Sequence, residues 1–353
     1  MDSESSIENK KEENRQIKLV NKLENIKSQY IVIEIFKYMH HWKSLELIKY
    51  TKKTQNRLNI SIKTYKKFSQ ELTPIEIEVI PAENVYCKFI HFLKDEFKQY
   101  YHIYFNKNKE EIKRNYLNKN DDITNIKIKI IIDPQVKSFE KLFKYSKNLI
   151  SINFIKFYRN NITNMNEMFS GCELLNNLNL SSFNTENVID MNNMFNNCSS
   201  LSELNLSNFN TKNVLYMNDM FIDCTSLKEL DLSNFNTENV IDMNDMFLRC
   251  SSIKKINVAN FNTNKVTNMR GMFCRCSSLE ELDLSNFNTN NVINMGSMFG
   301  ACSSLKKLNI SSSNFNVDNV SEIYFMLSNC PEEIKRKMKE NIKNIKDEAF
   351  ADM

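Results

Sequence analysis

Residues Leu201–Ser226 read LSELNLSNFNTKNVLYMNDMFIDCTS, and this stretch decides the fold because the chain repeats it. Its phenylalanine and cysteine positions recur every 26 residues. They are occupied by Phe169, Phe195, Phe221, Phe247, Phe273 and Phe299, and by Cys172, Cys198, Cys224, Cys250, Cys276 and Cys302. A fixed period of this length is typical of repeat architectures in which successive units stack on one another.

Each unit carries two hydrophobic periodicities. Leu204 and Leu206 alternate with a polar residue, which is the spacing of a strand. The apolar residues that follow recur at three- and four-residue intervals, which predicts one face of a short helix. These residues are Val214, Met217, Met220, Phe221 and Cys224. Thr211 lies just before them and is placed to cap a free N–H group of the predicted helix.

The period extends beyond its most regular copies. Upstream, the same columns hold Val136, Phe139, Leu142, Phe143 and Ser146; downstream, after a two-residue shift near Ser312, they hold Val320, Ile323, Met326, Leu327 and Cys330. Eight helical half-units are predicted, beginning near Val136, Ile162, Val188, Val214, Val240, Val266, Val292 and Val320. Because one unit cannot bury its apolar face alone, we predict an α/β solenoid with parallel strands on one face and short helices on the opposite face.

The column order L-x-x-L-x-L-S-x-F-x-T-x-x-V-x-x-M-x-x-M-F-x-x-C resembles the BspA-like leucine-rich repeat over roughly residues 136–330. The resemblance implies a leucine-rich-repeat fold and a role in protein interaction or surface adhesion. The chain departs from the family in lacking an apolar signal peptide, a cell-wall motif and a membrane anchor. We therefore predict a non-enzymatic protein-interaction module, an intracellular scaffold or substrate receptor. A cell-surface adhesin is the alternative.

Segments without the repeat flank it. Residues 1–24 are expected to be a disordered polar tail, residues 25–120 a helical domain, residues 121–330 the solenoid, and residues 331–353 a capping helix and tail. Residues 30–58 resemble an F-box, although its usual leading Leu-Pro is absent. Because F-boxes often precede leucine-rich repeats in substrate receptors, the resemblance implies a ubiquitin-ligase adaptor. A helical cap over the first unit is the alternative.

The composition of the chain argues against several classes of function. The chain has 47 basic and 43 acidic residues, a net charge of +4 without a basic stripe, which argues against nucleic-acid binding. Its four glycines form no nucleotide-binding spacing. No run of eighteen apolar residues occurs, so membrane insertion is not expected. We expect no cofactor and a cytoplasmic location, or a cell-surface location reached by an unconventional route.

The cysteine and methionine columns could in principle bind metal ions. The cysteine column supplies one thiol per unit, whereas zinc requires four convergent ligands, so free buried thiols are predicted rather than zinc or disulfides. The paired methionines, such as Met191 and Met194, could form a copper site, but their spacing predicts core packing. Cys87 and His91 could form half of a metal site, but no second pair exists. The repeats contain no histidine, so a Ser-His-Asp arrangement is excluded there.

The candidate site is the outward side of the predicted strands. Its charged residues are Glu203, Lys228, Glu229, Asp231, Lys254, Lys255, Glu280, Glu281, Asp283, Lys306 and Lys307. Neighbouring units alternate in sign. The pattern either stabilises the sheet through charge pairs of ~0.2–1 kcal/mol each or forms a mixed-charge groove for a protein partner. A second candidate is an apolar shoulder of the predicted helices, which either widens the core or is an exposed patch. It comprises Ile189, Leu215, Ile222, Ile241, Leu248 and Ile293.

Overall fold

The computed structural model describes residues 25–28, 53, 56, 73–83, 86–106, 108, 110–119, 121 and 125–352. The chain divides into two compact units, residues 1–73 and residues 74–353. The polar tail, residues 1–24, lies outside the described residues. So does the F-box-like segment, residues 30–58, apart from Lys53 and Asn56, which are exposed positions of helix.

The second compact unit begins with a mixed five-stranded sheet. Its strands are β1 (Ile75–Pro81), β2 (Tyr101–Phe105), β3 (Ile128–Ile132), β4 (Leu149–Lys156) and β5 (Asn177–Asn179), in the spatial order β2-β3-β1-β4-β5. A 3₁₀ helix, Asp95–Tyr100, leads into β2. The β1–β3, β1–β4 and β2–β3 pairs are antiparallel, whereas β4 and β5 are parallel. Ile75, Ile77 and Val79 of β1 are buried and alternate with less buried residues, so one face of that strand packs in the core.

The later repeats form a separate, parallel sheet of four strands. These are β6 (Glu229–Asp231), β7 (Lys255–Asn257), β8 (Glu281–Leu284) and β9 (Lys307–Ile310), in that spatial order. Each strand pairs with the strand one repeat later. The repeat between β5 and β6 forms no strand in Leu201–Leu206, which separates the two sheets.

The predicted α/β solenoid with one parallel strand stack and short helices on the opposite face is therefore wrong. The first sheet contains mostly antiparallel pairs. The eight predicted helical half-units are series of turns. The predicted helical domain is also wrong within residues 75–105, because this stretch holds β1 and β2 with one short 3₁₀ helix before β2.

Left-handed backbone conformations explain why the apolar spacing gives turns instead of helices. In one repeat, Asn193 and Asn197 have φ angles of 54° and 55°, and a right-handed helix cannot pass through such residues. The Asn193 N–H instead donates to the Asn218 carbonyl of the next repeat, at 3.0 Å. The turns close locally, as where the Cys198 N–H donates to the Phe195 carbonyl at 3.1 Å. The N–H groups of these turns thus donate in part to carbonyl groups of the next repeat and in part to carbonyl groups of their own turn.

The predicted apolar columns are buried despite this change in backbone. Met191 and Met194 are fully buried, which confirms that the paired methionines pack in the core. The phenylalanine column stacks: the ring centroids of Phe195 and Phe221 lie 5.5 Å apart, with the rings 6° from parallel. Leu204 is only partly buried, in contrast to Leu206.

Two polar columns connect neighbouring repeats. The Thr237 hydroxyl accepts the N–H of Asn262 at 2.7 Å and donates to the carbonyl of the same residue at 3.0 Å. It therefore bonds the next repeat and caps no helix. Asn234 Nδ2 donates to the carbonyls of Leu206 and Phe209, both at 3.0 Å. The asparagine amide thus satisfies carbonyl groups in the turn of the preceding repeat.

A buried arginine begins the threonine column. Arg159 stands 26 residues before Thr185, and its side chain is fully buried. One guanidinium nitrogen donates to the carbonyls of Asp133 and Val136, at 3.1 and 3.0 Å. Burial lowers the pKa of Arg159 to about 10. The first repeats are therefore tied together by an arginine where later repeats use threonine.

The C-terminal segment covers the last repeat. Helix α1 (Glu332–Asn341) buries Ile334 and Met338 and keeps its charged side outward. A short 3₁₀ helix, Asp347–Ala349, follows. The N–H of Leu327 donates to the Ala349 carbonyl at 2.8 Å, in the position that a further repeat would otherwise occupy.

Truncation of a buried strand leucine should destabilise the repeats. Leu230 is 3% exposed, so Leu230→Ala should lower the free energy of unfolding by about 2–5 kcal/mol. Leu204 occupies the same column one repeat earlier and is only partly buried, so Leu204→Ala should lower it less. Urea unfolding followed by circular dichroism measures both. A larger loss for Leu204→Ala would contradict the packing described here.

Two glycines offer a matched test of the turn geometry. Gly171 has a φ of 74°, and an added Cβ would lie 2.4 Å from Cδ1 of Tyr145. Gly171→Ala should therefore lower the free energy of unfolding by at least about 1 kcal/mol. The space at Gly296 accepts a Cβ, with its nearest neighbour at 3.4 Å, so Gly296→Ala should change stability little. Thermal unfolding compares the two variants, and equal effects would argue against left-handed turns.

Candidate interaction surface

The strand face is the outward side of Ser202–Asn205 and of β6 to β9. It arises because successive side chains of a strand point to opposite sides. In β6, Leu230 points into the core, whereas Glu229 and Asp231 are exposed. Neighbouring strands lie ~4.8 Å apart, so equivalent side chains of successive repeats stand close together.

One column of the strand face alternates in charge along β6 to β9. Glu229 lies opposite Lys255, Lys255 opposite Glu281, and Glu281 opposite Lys307. All four side chains are exposed. Among these described residues, no ion pair within 4.0 Å joins any two members of the column. The four charges therefore face solvent, where a partner could meet them.

A second column holds carboxylates and amides in alternation. Asp231 lies opposite Asn257, and Asp283 opposite Asn309. The backbone N–H of Ser233 donates to Asp231 at 3.0 Å and lowers the pKa of that carboxyl, to which nearby Lys255 contributes. The pKa of Asp283 is lowered in the same way by its own turn. Both carboxylates are therefore charged at neutral pH.

A groove of about 560 Å³ opens on the strand face beside the interruption of the ladder. No backbone N–H of Ser202–Leu206 donates a hydrogen bond within the part of the chain that the structure describes. The groove is lined by Ser202, Glu203, Leu204, Asn205, Lys228, Glu229, Leu230, Asp231, Lys255 and Asn257. It thus combines unpaired backbone groups with charges of both signs.

The predicted site residues all lie on or beside the strand face. Five of them line the groove: Glu203, Lys228, Glu229, Asp231 and Lys255. The other six continue along the stack: Lys254, Glu280, Glu281, Asp283, Lys306 and Lys307. Of the eleven, Glu280 alone is half-buried, and its ion pair with Lys306, at 2.7 Å, lowers its pKa. The interruption at Leu201–Leu206 was not predicted, because its sequence repeats the pattern of the strands that pair.

The predicted apolar shoulder does not form one surface. Ile189, Leu215, Ile241 and Ile293 belong to a row joined by backbone hydrogen bonds, and three of them are 38–53% exposed. Thr267 interrupts that row. Ile222 and Leu248 are half-buried and lie in the turns that follow. The shoulder is therefore a broken line of aliphatic side chains.

A second groove, of about 430 Å³, was missed by the sequence reading. Arg249 and Arg275 line it with a set of serine and threonine side chains. Arg249 Nη1 lies 3.5 Å from Asp223 Oδ2. A sequence signal did exist: Arg249, Arg270 and Arg275 are the three arginines of residues 160–330.

The cysteine column is free and buried, which confirms its predicted packing role. Each thiol donates to a carbonyl in the preceding repeat, as Cys224 Sγ does to the Phe195 carbonyl at 3.2 Å. Burial raises the pKa of Cys224 to about 12. Among the described residues, no group of three or more His, Cys, Asp or Glu side chains is arranged to hold a metal ion.

Comparison with protein families identifies the family to which the repeats belong. The sequence pattern of the family described as "Mycoplasma protein of unknown function, DUF285" matches residues 137–258 and 242–353, which together exceed half of the chain. The chain belongs to this family. The first DUF285 match begins one residue after Val136, where the repeat period begins. No curated protein and no solved structure matches the chain. Within the described residues, every helix is too short or too polar to cross a bilayer.

Thiol reactivity should follow burial in the native protein. Because desolvation raises their pKa, Cys198, Cys224 and Cys250 should react slowly with iodoacetamide at pH 8. Cys87 is half-buried and should be labelled first. Peptide mass spectrometry after timed labelling measures the order, and unfolded protein is the control in which all thiols react. Rapid native labelling of Cys224, or disulfides within the column, would contradict the packing.

Proposed function

We propose that this protein is a non-enzymatic interaction module that binds a protein partner through the strand face. The observation that carries the proposal is the groove, because it presents unpaired backbone groups beside charges of both signs. A protein partner can make polar contacts with such a groove, and the charged side chains of its lining supply the specificity.

The contrast between core and surface supports this proposal. The inward columns hold nearly the same residue type in every repeat, whereas the charges of the strand face vary between repeats and change sign at each step from β6 to β9 in one column. Varied side chains on a uniform framework suit recognition, because charge complementarity gives specificity and association rate more than raw affinity.

We further propose an intracellular scaffold or substrate receptor. The nine cysteines are all free, and free thiols are typical of a reducing compartment. A cell-surface adhesin is the alternative that the BspA-like resemblance of the sequence implies. Localisation of the tagged full-length protein separates the two, since an adhesin would be accessible to protease added to intact cells.

Reversal of three charges on the strand face tests the binding surface. Partner proteins are first captured with the wild-type full-length chain and identified, and their affinities are then measured individually. Glu229→Lys, Lys255→Glu and Glu281→Lys together should weaken binding about tenfold or more, because complementary charges become repulsive. Stability should change little, since exposed pairs contribute at most about 1 kcal/mol each.

The chain offers a matched control for this triple variant. Glu186, Lys212 and Glu238 form another exposed column of the same sign order, in the turn after the strand position. Glu186→Lys, Lys212→Glu and Glu238→Lys change the net charge equally and should leave binding intact. Unchanged binding by the strand-face variant would reject the proposal. If Ile241→Lys then abolished partner binding in a folded protein, the aliphatic row would be the binding surface.

A further inference from the structure

We propose that the strand face binds the strand face of a second copy of this chain, in a symmetric dimer whose two-fold axis runs parallel to the strands. The inference rests on the proposed function and names the partner. It is carried by the order of charges in the two columns of the strand face.

The first column is complementary to itself when its order is reversed. A two-fold axis along the strands reverses the order of the repeats and keeps each position along the strand. With the axis between β7 and β8, Glu229 meets the second copy's Lys307, and Lys255 meets the second copy's Glu281. Symmetry repeats both contacts, so four pairs of opposite charge form.

The second column is complementary under the same operation. Asp231 meets the second copy's Asn309, and Asn257 meets the second copy's Asp283. In each pair a carboxylate can accept a hydrogen bond from an amide. The lowered pKa values of Asp231 and Asp283 keep these acceptors ionised at neutral pH. Both columns therefore select one position of the axis.

In the flanking column this arrangement sets Lys254 against the second copy's Glu280 and Lys228 against the second copy's Lys306. Other symmetric arrangements bring more like charges together. An axis along the stack sets Glu229 against the second copy's Asp231, and Glu281 against the second copy's Asp283. A shift of one position along the stack sets Glu229 against the second copy's Glu281. Like charges placed directly opposite are destabilising. The arrangement with the axis between β7 and β8 is thus favoured over both.

The groove provides a site in which Lys307 of the second copy can meet Glu229. Its lining holds the three carboxylates of Glu203, Glu229 and Asp231 and the two lysines Lys228 and Lys255, so Lys307 of the second copy meets more acidic than basic side chains there. The charges of the first column form no ion pairs with one another within 4.0 Å and can meet the second copy without breaking any. The spacing matches because both surfaces repeat at the same strand separation.

The contact is polar, and this determines how the dimer should behave. Few apolar side chains are buried in it, so association should be weak and should rise with protein concentration. Screening shortens the range of charge interactions from ~14 Å at 50 mM salt to ~4 Å at 500 mM salt, by the inverse-square-root dependence of the Debye length. The dimer should therefore dissociate as salt is raised.

A charge exchange tests the pairing directly. Sedimentation equilibrium of the full chain, from about 10 to about 500 µM at 50 mM salt, measures the dissociation constant. Glu229→Lys should raise it about tenfold, since each dimer gains two repulsive lysine pairs. The double variant Glu229→Lys, Lys307→Glu should recover most of the loss. Glu238→Lys lies outside the strand face and is the control for net charge and folding.

The exchange separates contacts between copies from contacts within one chain. Inside the chain, Lys307 lies opposite Glu281, so Lys307→Glu adds a like-charge pair and cannot repair a defect caused by Glu229→Lys. Recovery in the double variant therefore supports the dimer. Three results would overturn the dimer: a monomer at every concentration, a dissociation constant unchanged by Glu229→Lys, or a double variant that dimerises no better than Glu229→Lys alone. If another protein still binds the strand face in those cases, the proposed function stands without the dimer.

Discussion

The hydrogen-bond ladder between successive repeats is the constraint on which the second compact unit depends. In the repeats, alternate N–H groups point to the next repeat while the others close turns within their own. Buried backbone groups must be paired, so this division fixes both the spacing of the repeats and the stacking of their side chains. The phenylalanine rings, thiols and threonine hydroxyls recur in columns because the backbone repeats at one-strand intervals.

The sequence predicted which residues of the repeats are buried but did not predict their backbone conformation. Intervals of three and four residues place side chains on one side of a helix, but consecutive turns bury the same positions. The distinguishing signal was present: Asn193, Asn197, Asp219 and Gly171 occupy positions with positive φ, where such residues are enriched. The antiparallel strands also had a signal, since isoleucine alternates with glutamate at the start of β1.

The candidate site was more predictable than the fold around it. Which residues point outward depends on the alternation along a strand, and that alternation holds in either architecture. The groove was not predictable, because it depends on whether Leu201–Leu206 pairs with its neighbours. Its residues match those of paired strands at nearly every column, so no local sequence pattern distinguishes it. The charged columns and the groove together make the strand face a surface of varied chemistry on a uniform support.

The C-terminal segment determines where growth of the stack ends. The N–H groups of Phe325 and Leu327 would point into solvent as an open template, but Glu348 and Ala349 accept their hydrogen bonds. An uncovered ladder of this kind is a site for end-to-end addition of further chains, and a head-to-tail contact does not close on itself. Glu348 and Ala349 therefore cover the edge of the last repeat as a further repeat would. Loss of this short segment would leave the N–H groups of Phe325 and Leu327 without these partners.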